Sequence, residues 1–199
     1  VSLVLAGGLI GAVIGPNLAA RSRTLLDVPF AGAYVVLCGV ALLGMVLMAG
    51  IQFPAASPST SPNAAGRPLA LIVRQPVFLV ACLSAALGYG VMNLLMAATP
   101  LAMQQCGLSF DDAAIVLEWH VIGMFAPGFF TGNLIKRFGT LTVMGAGVVL
   151  NLACIAIALS GLDLHHFTVA LFLLGVGWNF LFTGSTTLSL DAYRPEEKD

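Results

Sequence analysis

The sequence predicts an all-α protein, a polytopic transmembrane bundle of six helical spans. Composition predicts it first: of 199 residues, 59% are hydrophobic and only 9% are charged, where soluble domains carry roughly 25% charge. Mean hydropathy is +0.99. The placement of the charges is the second observation, because residues 1–20, 28–66, 75–110, 138–162 and 164–190 contain no Asp, Glu, Lys or Arg. A helix needs about 20 mainly apolar residues to cross a hydrocarbon core. A soluble globule could not present a polar surface from so few charges, and disorder demands the opposite composition. A net charge of −1 gives nucleic acid nothing to bind. A membrane β-barrel would alternate apolar and polar residues, and the run Val35-Val36-Leu37-Cys38-Gly39-Val40-Ala41-Leu42-Leu43 does not.

Span 1 covers residues 1–20, where Gly7, Gly11 and Gly15 recur every four positions and so share a helix face. Small-residue faces let backbones approach closely in lipid. Pro16 follows near its end. Span 2 covers 28–51. Residues 52–75, rich in proline and small polar residues, read as a flexible tether between two helix groups. Span 3, 76–101, carries Asn93 at depth and Pro100 near its end. Span 4, 113–134, is the exception among the spans, with Glu118 and His120 inside it. Glu118 lies roughly 9 Å along its helix from Asp112, and a carboxylate at such depth faces a cavity or a partner. It is the candidate proton carrier, with His120 the second titratable group. The two point to different faces of a regular helix. Pro127 in the same span predicts a kink near Met124 or Phe125, and Gly128 and Gly132 repeat the small-residue spacing. Span 5, 140–161, holds Gly147, Asn151 and Cys154. Span 6, 167–190, places Trp178 and Asn179 roughly 17 Å from Phe167, near the midplane. The amide there requires a partner, and the indole could stack on a ligand ring.

Orientation follows from Lys and Arg in the short loops. Arg67, Arg74, Lys136, Arg137, Arg194 and Lys198 fall on one side, against Arg21 and Arg23 on the other. That places residues 52–75 and both ends of the chain in the cytoplasm. The chain begins inside an apolar run without Met and reads as an internal piece of a longer protein. Cys38, Cys82, Cys106 and Cys154 form no CxxC pair, so they read as apolar packing residues, not a metal site or disulfide framework. His165 and His166, beside Asp163, read as a solvated outer turn. There is no GxxxxGK[ST] loop, no HExxH helix and no nucleophile elbow around Ser185. The sequence therefore predicts a protein that is not an enzyme, with no cofactor and no metal.

The run from His120 to Gly139, HVIGMFAPGFFTGNLIKRFG, resembles helix 8 and the following loop of a bacterial major facilitator superfamily transporter. Its end, Gly132 through Arg137 to Gly139, is similar to the G-x-x-x-[DN]-R-x-G loop signature, with the acidic position unfilled. Gly11-Ala12-Val13-Ile14-Gly15-Pro16-Asn17-Leu18-Ala19-Ala20 is similar to the G-x3-G-P-x2-G-G signature of antiporter helix 5, with Ala19-Ala20 replacing the final Gly pair. Gly175-Val176-Gly177-Trp178-Asn179-Phe180-Leu181-Phe182 resembles helix 10. The resemblance covers nearly the whole chain, as helices 5 to 10 of twelve. It implies that residues 1–51 are the last two helices of an N-terminal bundle, 52–75 a cytoplasmic linker and 76–199 the first four helices of a C-terminal bundle. It also implies alternating access around a central cavity lined by helices 5, 7, 8 and 10. That favours Glu118, His120, Asn93, Trp178 and Asn179 as pathway residues, ahead of Asn151. The implied activity is proton-coupled export of a small organic molecule across a bacterial inner membrane, completed by the remaining helices of the full-length chain. An uncoupled facilitator or importer and a non-transporting sensor or assembly subunit are the alternatives.

Overall fold

A computed structural model describes residues 2–51 and 67–194, with side chains from residue 6 onward. Among these the chain is helical: α1 (Ser2–Ser22), α2 (Ala31–Ala49), α3 (Leu69–Val73), α4 (Pro76–Gln105), α5 (Phe110–Phe125), α6 (Gly128–Phe138), α7 (Thr140–Ser160) and α8 (Leu164–Leu190). Contacts divide the chain into two compact units, Val1–Pro16 with Arg67–Asp199, and Asn17–Gly66.

In the Asn17–Gly66 unit, the end of α1 turns back through residues 23–30 into α2. Ser22 donates its hydroxyl hydrogen to the Leu18 carbonyl at 2.6 Å. Phe30 enters α2 with φ 64, in the left-handed region, and donates its N–H to the Arg23 carbonyl at 3.1 Å. Gly32 sits directly against the Ser22 carbonyl, where a Cβ has no room. Otherwise α2 turns its large apolar side chains outward, as a helix does when its solvent is lipid.

In the larger unit α8 is the central helix, packed against α4, α5 and α7. Its hydrophobic core joins Met103 of α4, Ala113 and Val116 of α5, Cys154 of α7, and Phe167, Ala170, Leu171 and Leu174 of α8. Local chemistry sets the helix ends. Pro76 opens α4, where its missing N–H costs nothing. A Ser109–Asp112 capping box starts α5. Gly139, at φ 85, ends α6 and begins α7 through a turn that only glycine makes without strain. Among the described residues, four helices are long and apolar enough to cross a membrane, α2, α4, α7 and α8, with the α5–α6 pair, bent by 42°, a fifth if it is one span. The predicted first span coincides with α1, which runs on to Ser22.

Three details differ from the sequence expectation. Residues 52–66 of the predicted tether lie outside the described residues, while 69–73 form α3 with Ile72 buried. Arg67 and Gln75 both donate to the Ala192 carbonyl, at 2.8 and 3.1 Å, tying this segment to the end of α8. Of the four cysteines only Cys154 is packed inside protein; Cys38 and Cys82 are exposed on helices and Cys106 is exposed just past the end of α4. Finally, α8 begins at Leu164, so His165 and His166 belong to its first turn. Asp163 caps it, accepting the His166 backbone N–H at 3.1 Å and the His166 Nδ1 hydrogen at 2.6 Å. These hydrogen bonds, the His166 side chain first, hold the Asp163 carboxyl below the usual carboxylate range. A depressed folded-state value means that the cap stabilises α8 at pH values above the ordinary carboxylate value of about 3.9. That contribution disappears as pH falls through the lower, folded-state value. The protection factor of the His166 amide, its slowing relative to free exchange at the same pH, is therefore expected to fall in acid, and Asp163→Ala to lower it at neutral pH.

Candidate functional site

The site is organised by the way α8 contacts α5 and α7 through glycine. At Gly175 a Cβ would meet the His120 carbonyl oxygen, Met124 N at 2.9 Å and Gly123 C at 3.0 Å, all backbone atoms of α5. At Gly123 it would meet the Phe172 carbonyl at 2.6 Å. Further along α8, a Cβ at Gly177 would meet the Gly147 carbonyl at 2.8 Å and Asn151 Oδ1 of α7. Backbone-to-backbone contact of this kind is how helices associate where apolar burial supplies no drive.

The break between α5 and α6 falls where Pro127 predicts it. Proline supplies no N–H, and the bend takes carbonyls of the last turn of α5 out of the helix ladder. α8 provides a replacement: Asn179 Nδ2 donates to the Met124 carbonyl at 2.7 Å. The amide's other end is used as well, because Thr131 in the first turn of α6 reaches Asn179 Oδ1 at 2.7 Å and the Pro127 carbonyl at 2.7 Å. The threonine has one proton, shared between the two acceptors. Asn179 is 5% exposed and Thr131 fully buried. One side chain of α8 thus joins both sides of the break.

His120 is fully buried, and its Nδ1 lies 2.8 Å from the Leu171 carbonyl. A carbonyl only accepts, so Nδ1 carries a hydrogen, and Nε2 is buried without a hydrogen bond. His120 therefore faces α8. Glu118, two residues earlier and on another face of α5, is half-buried.

The remaining pathway candidates lie on facing stripes of α4 and α8. Trp178 stacks on Phe182, centroids 4.8 Å apart and planes 11° from parallel, and meets Tyr89 of α4 edge-on at 6.1 Å. Asn93, one turn beyond Tyr89 and exposed, donates one amide hydrogen to the Tyr89 carbonyl at 3.1 Å. The structure thus sets Tyr89, one turn from Asn93 on α4, against Trp178, while Asn179 is engaged with α5 and α6 and His120 with α8. The other motif residues are dispersed. Among the described residues, nothing lies within 4 Å of where a methyl group would sit at Gly11, Gly15 or Gly132. Pro16 lies inside α1, and Gly128 is the first residue of α6. Arg137, in the last turn of α6, sets its guanidinium 5.2 Å from the Phe138 ring centre.

Sequence reasoning missed Thr131, Tyr89, Phe182, Gly123 and Gly175. Thr131 carried a signal, since it stands four residues after Pro127 and a hydroxyl there can reach the proline carbonyl. The two aromatics stand at i,i+4 to residues already singled out. The chain matches the Major Facilitator Superfamily over residues 1–199. It belongs to that family. The chain is a multi-pass integral membrane protein. Among its relatives is a protein named riboflavin transporter RfnT from Brucella anthropi, 40% identical over 100% of this chain and 50% of its own length. Another, an MFS-type transporter named YddS from Bacillus subtilis, is 28% identical over 98% of this chain and 48% of its own. A third, YdeG of the same organism, is 34% identical over 51% of this chain and 24% of its own. The chain spans about half the length of the first two relatives. No solved structure matches it.

Proposed function

We propose that the full-length protein moves a small organic solute across a bacterial plasma membrane by alternating access, exporting it in exchange for protons. The observation that carries this reading is the broken span: α5 and α6 meet at 42°, and the Met124 carbonyl at the break is met by Asn179 of α8. Discontinuous helices with side-chain-satisfied ends are a recurrent feature of transport pathways. In this reading residues 1–51 complete a first bundle, 52–75 cross between bundles on the cytoplasmic side, and 76–199 open the second. Glu118 is the proton carrier, Asn93 and Trp178 meet the solute, and His120 and Asn179 stand behind them, joining α8 to the moving span. The relative named for riboflavin makes riboflavin the first solute to assay.

The test uses the full-length protein in proteoliposomes with an imposed pH gradient. Glu118→Gln is expected to reduce gradient-driven flux to background while leaving solute exchange without a gradient intact. Unchanged gradient-driven flux in that variant removes Glu118 as the carrier. Wild-type flux indifferent to a collapsed gradient identifies an uncoupled facilitator.

A further inference from the structure

We propose that Tyr89, Asn93, Trp178 and Phe182 form the seat of a flat, uncharged, fused-ring heteroaromatic solute. The inference deepens the transport reading above and rests on it. Tyr89 and Asn93 are four residues apart on α4, and Trp178 and Phe182 four apart on α8, so each pair shares one helix face. Phe182 and Trp178 already form a parallel column, and Tyr89 closes its edge. Tyr89 is 50% and Phe182 42% exposed, so the column ends in accessible ring surface on which a further flat ring can stack. Offset stacking is the arrangement that aromatic pairs favour, and parallel rings suit a planar ligand better than the boxed rings that enclose a point cation.

A lipid-facing role does not account for this face. Asn93 lies roughly 26 Å along α4, a helix of about 45 Å, and so at mid-membrane depth. Its amide gives one hydrogen to the Tyr89 carbonyl, leaving Oδ1 and the second hydrogen for another group. A polar group turned to hydrocarbon is expensive, so the face is built to meet something polar as well as flat. A donor and an acceptor side by side match the edge of a ring lactam or imide, which separates a heteroaromatic solute from a plain hydrocarbon. Neither α4 nor α8 carries an Asp, Glu, Lys or Arg. An ionised group on the solute would therefore lie unpaired beside this face, which selects against phosphorylated forms.

The experiment is a titration of the full-length protein in nanodiscs, with riboflavin and its 5′-phosphate ester as probes and quenching of ring fluorescence as readout. Riboflavin is expected to quench saturably, and the ester to bind at least about tenfold more weakly. Trp178→Leu, Phe182→Leu and Asn93→Leu are each expected to weaken riboflavin binding about tenfold, while Trp178→Phe, which keeps a stacking face, restores most of it. Phe182 is accessible, so Phe182→Leu carries the test should Trp178→Leu not fold. Trp119→Phe, which removes the second indole of residues 1–199, is expected to bind as wild type. Wild-type affinity in all three leucine variants overturns the assignment and leaves the transport reading standing. Equal binding of the ester overturns its uncharged character. Absence of saturable quenching in the wild type overturns the ring seat, while proton-driven flux of other solutes in proteoliposomes still decides the transport reading.

Discussion

Replacing Asn179 with leucine is expected to lower the melting temperature of the full-length protein sharply and to cut transport with it. The variant strands the Met124 carbonyl, which the bend has already removed from its helix ladder, and takes one acceptor from the Thr131 hydroxyl. Leaving buried polar groups unpaired costs about 1–3 kcal/mol, and at membrane depth no water replaces the lost partner. Asn179→Asp is expected to be no better, because an ionised carboxylate accepts but cannot donate to a carbonyl. Thr131→Val is expected to be milder, since the Asn179–Met124 bond survives. Thermal unfolding in detergent, followed beside flux, separates two roles for this amide. A role in holding the break moves stability and transport together. A role in solute contact raises KM at an unchanged melting temperature.

The second large effect is expected at Gly175. A methyl there would occupy the space of the His120 carbonyl and press on Met124 N and Gly123 C. Backbone cannot rotate aside as a side chain can, so Gly175→Ala must push α5 away from α8. That displacement strips packing from the core around Val116 and Leu174 and stretches the His120–Leu171 bond. Overpacking of this kind costs typically about 1–3 kcal/mol, and here the upper end is expected because every close atom is backbone. Gly132→Ala provides the contrast: nothing lies within 4 Å of its methyl position among the described residues, and alanine has the better helix propensity. Paired measurements of melting temperature for Gly175→Ala and Gly132→Ala check the difference. Equal stability of the two would show that the α5–α8 contact can open without cost.

The two results bear on one arrangement. Gly123 and Gly175 bring α5 and α8 to backbone contact just before the break, and Asn179, one turn further along α8, spans the break itself. A helix that is bent but held on both sides of its bend can move as two bodies around that bend. Glu118, the proposed proton carrier, lies on α5, and the proposed aromatic seat lies between α4 and α8, so in this proposal α8 is the element through which a change at one would reach the other.

Membrane residence, helical class, the kink at Pro127 and the family were legible in the sequence, because each depends on a local or compositional quantity. Apolar runs of span length leave no other solvent than lipid, and a proline removes its hydrogen bond wherever the helix sits. The residue types of the site were legible too: Asn179, His120 and Trp178 stood out because polar or amphipathic groups at membrane depth must meet something. What they meet was not legible. The glycines that recur every four residues in span 1 stand in open space at Gly7, Gly11 and Gly15 among the described residues, while tight contacts fall at Gly8, on another face of the same helix, and at Gly123, Gly147, Gly175 and Gly177, where α8 meets α5 and α7. Spacing reports which residues share a face, and only the packing of a second helix decides which face is used. The same distinction separates Asn93 from Asn179. Both are amides in apolar spans, yet one looks outward beside a ring column and the other closes a broken helix, because only the tertiary structure sets the Met124 carbonyl and the Thr131 hydroxyl 2.7 Å from the Asn179 amide.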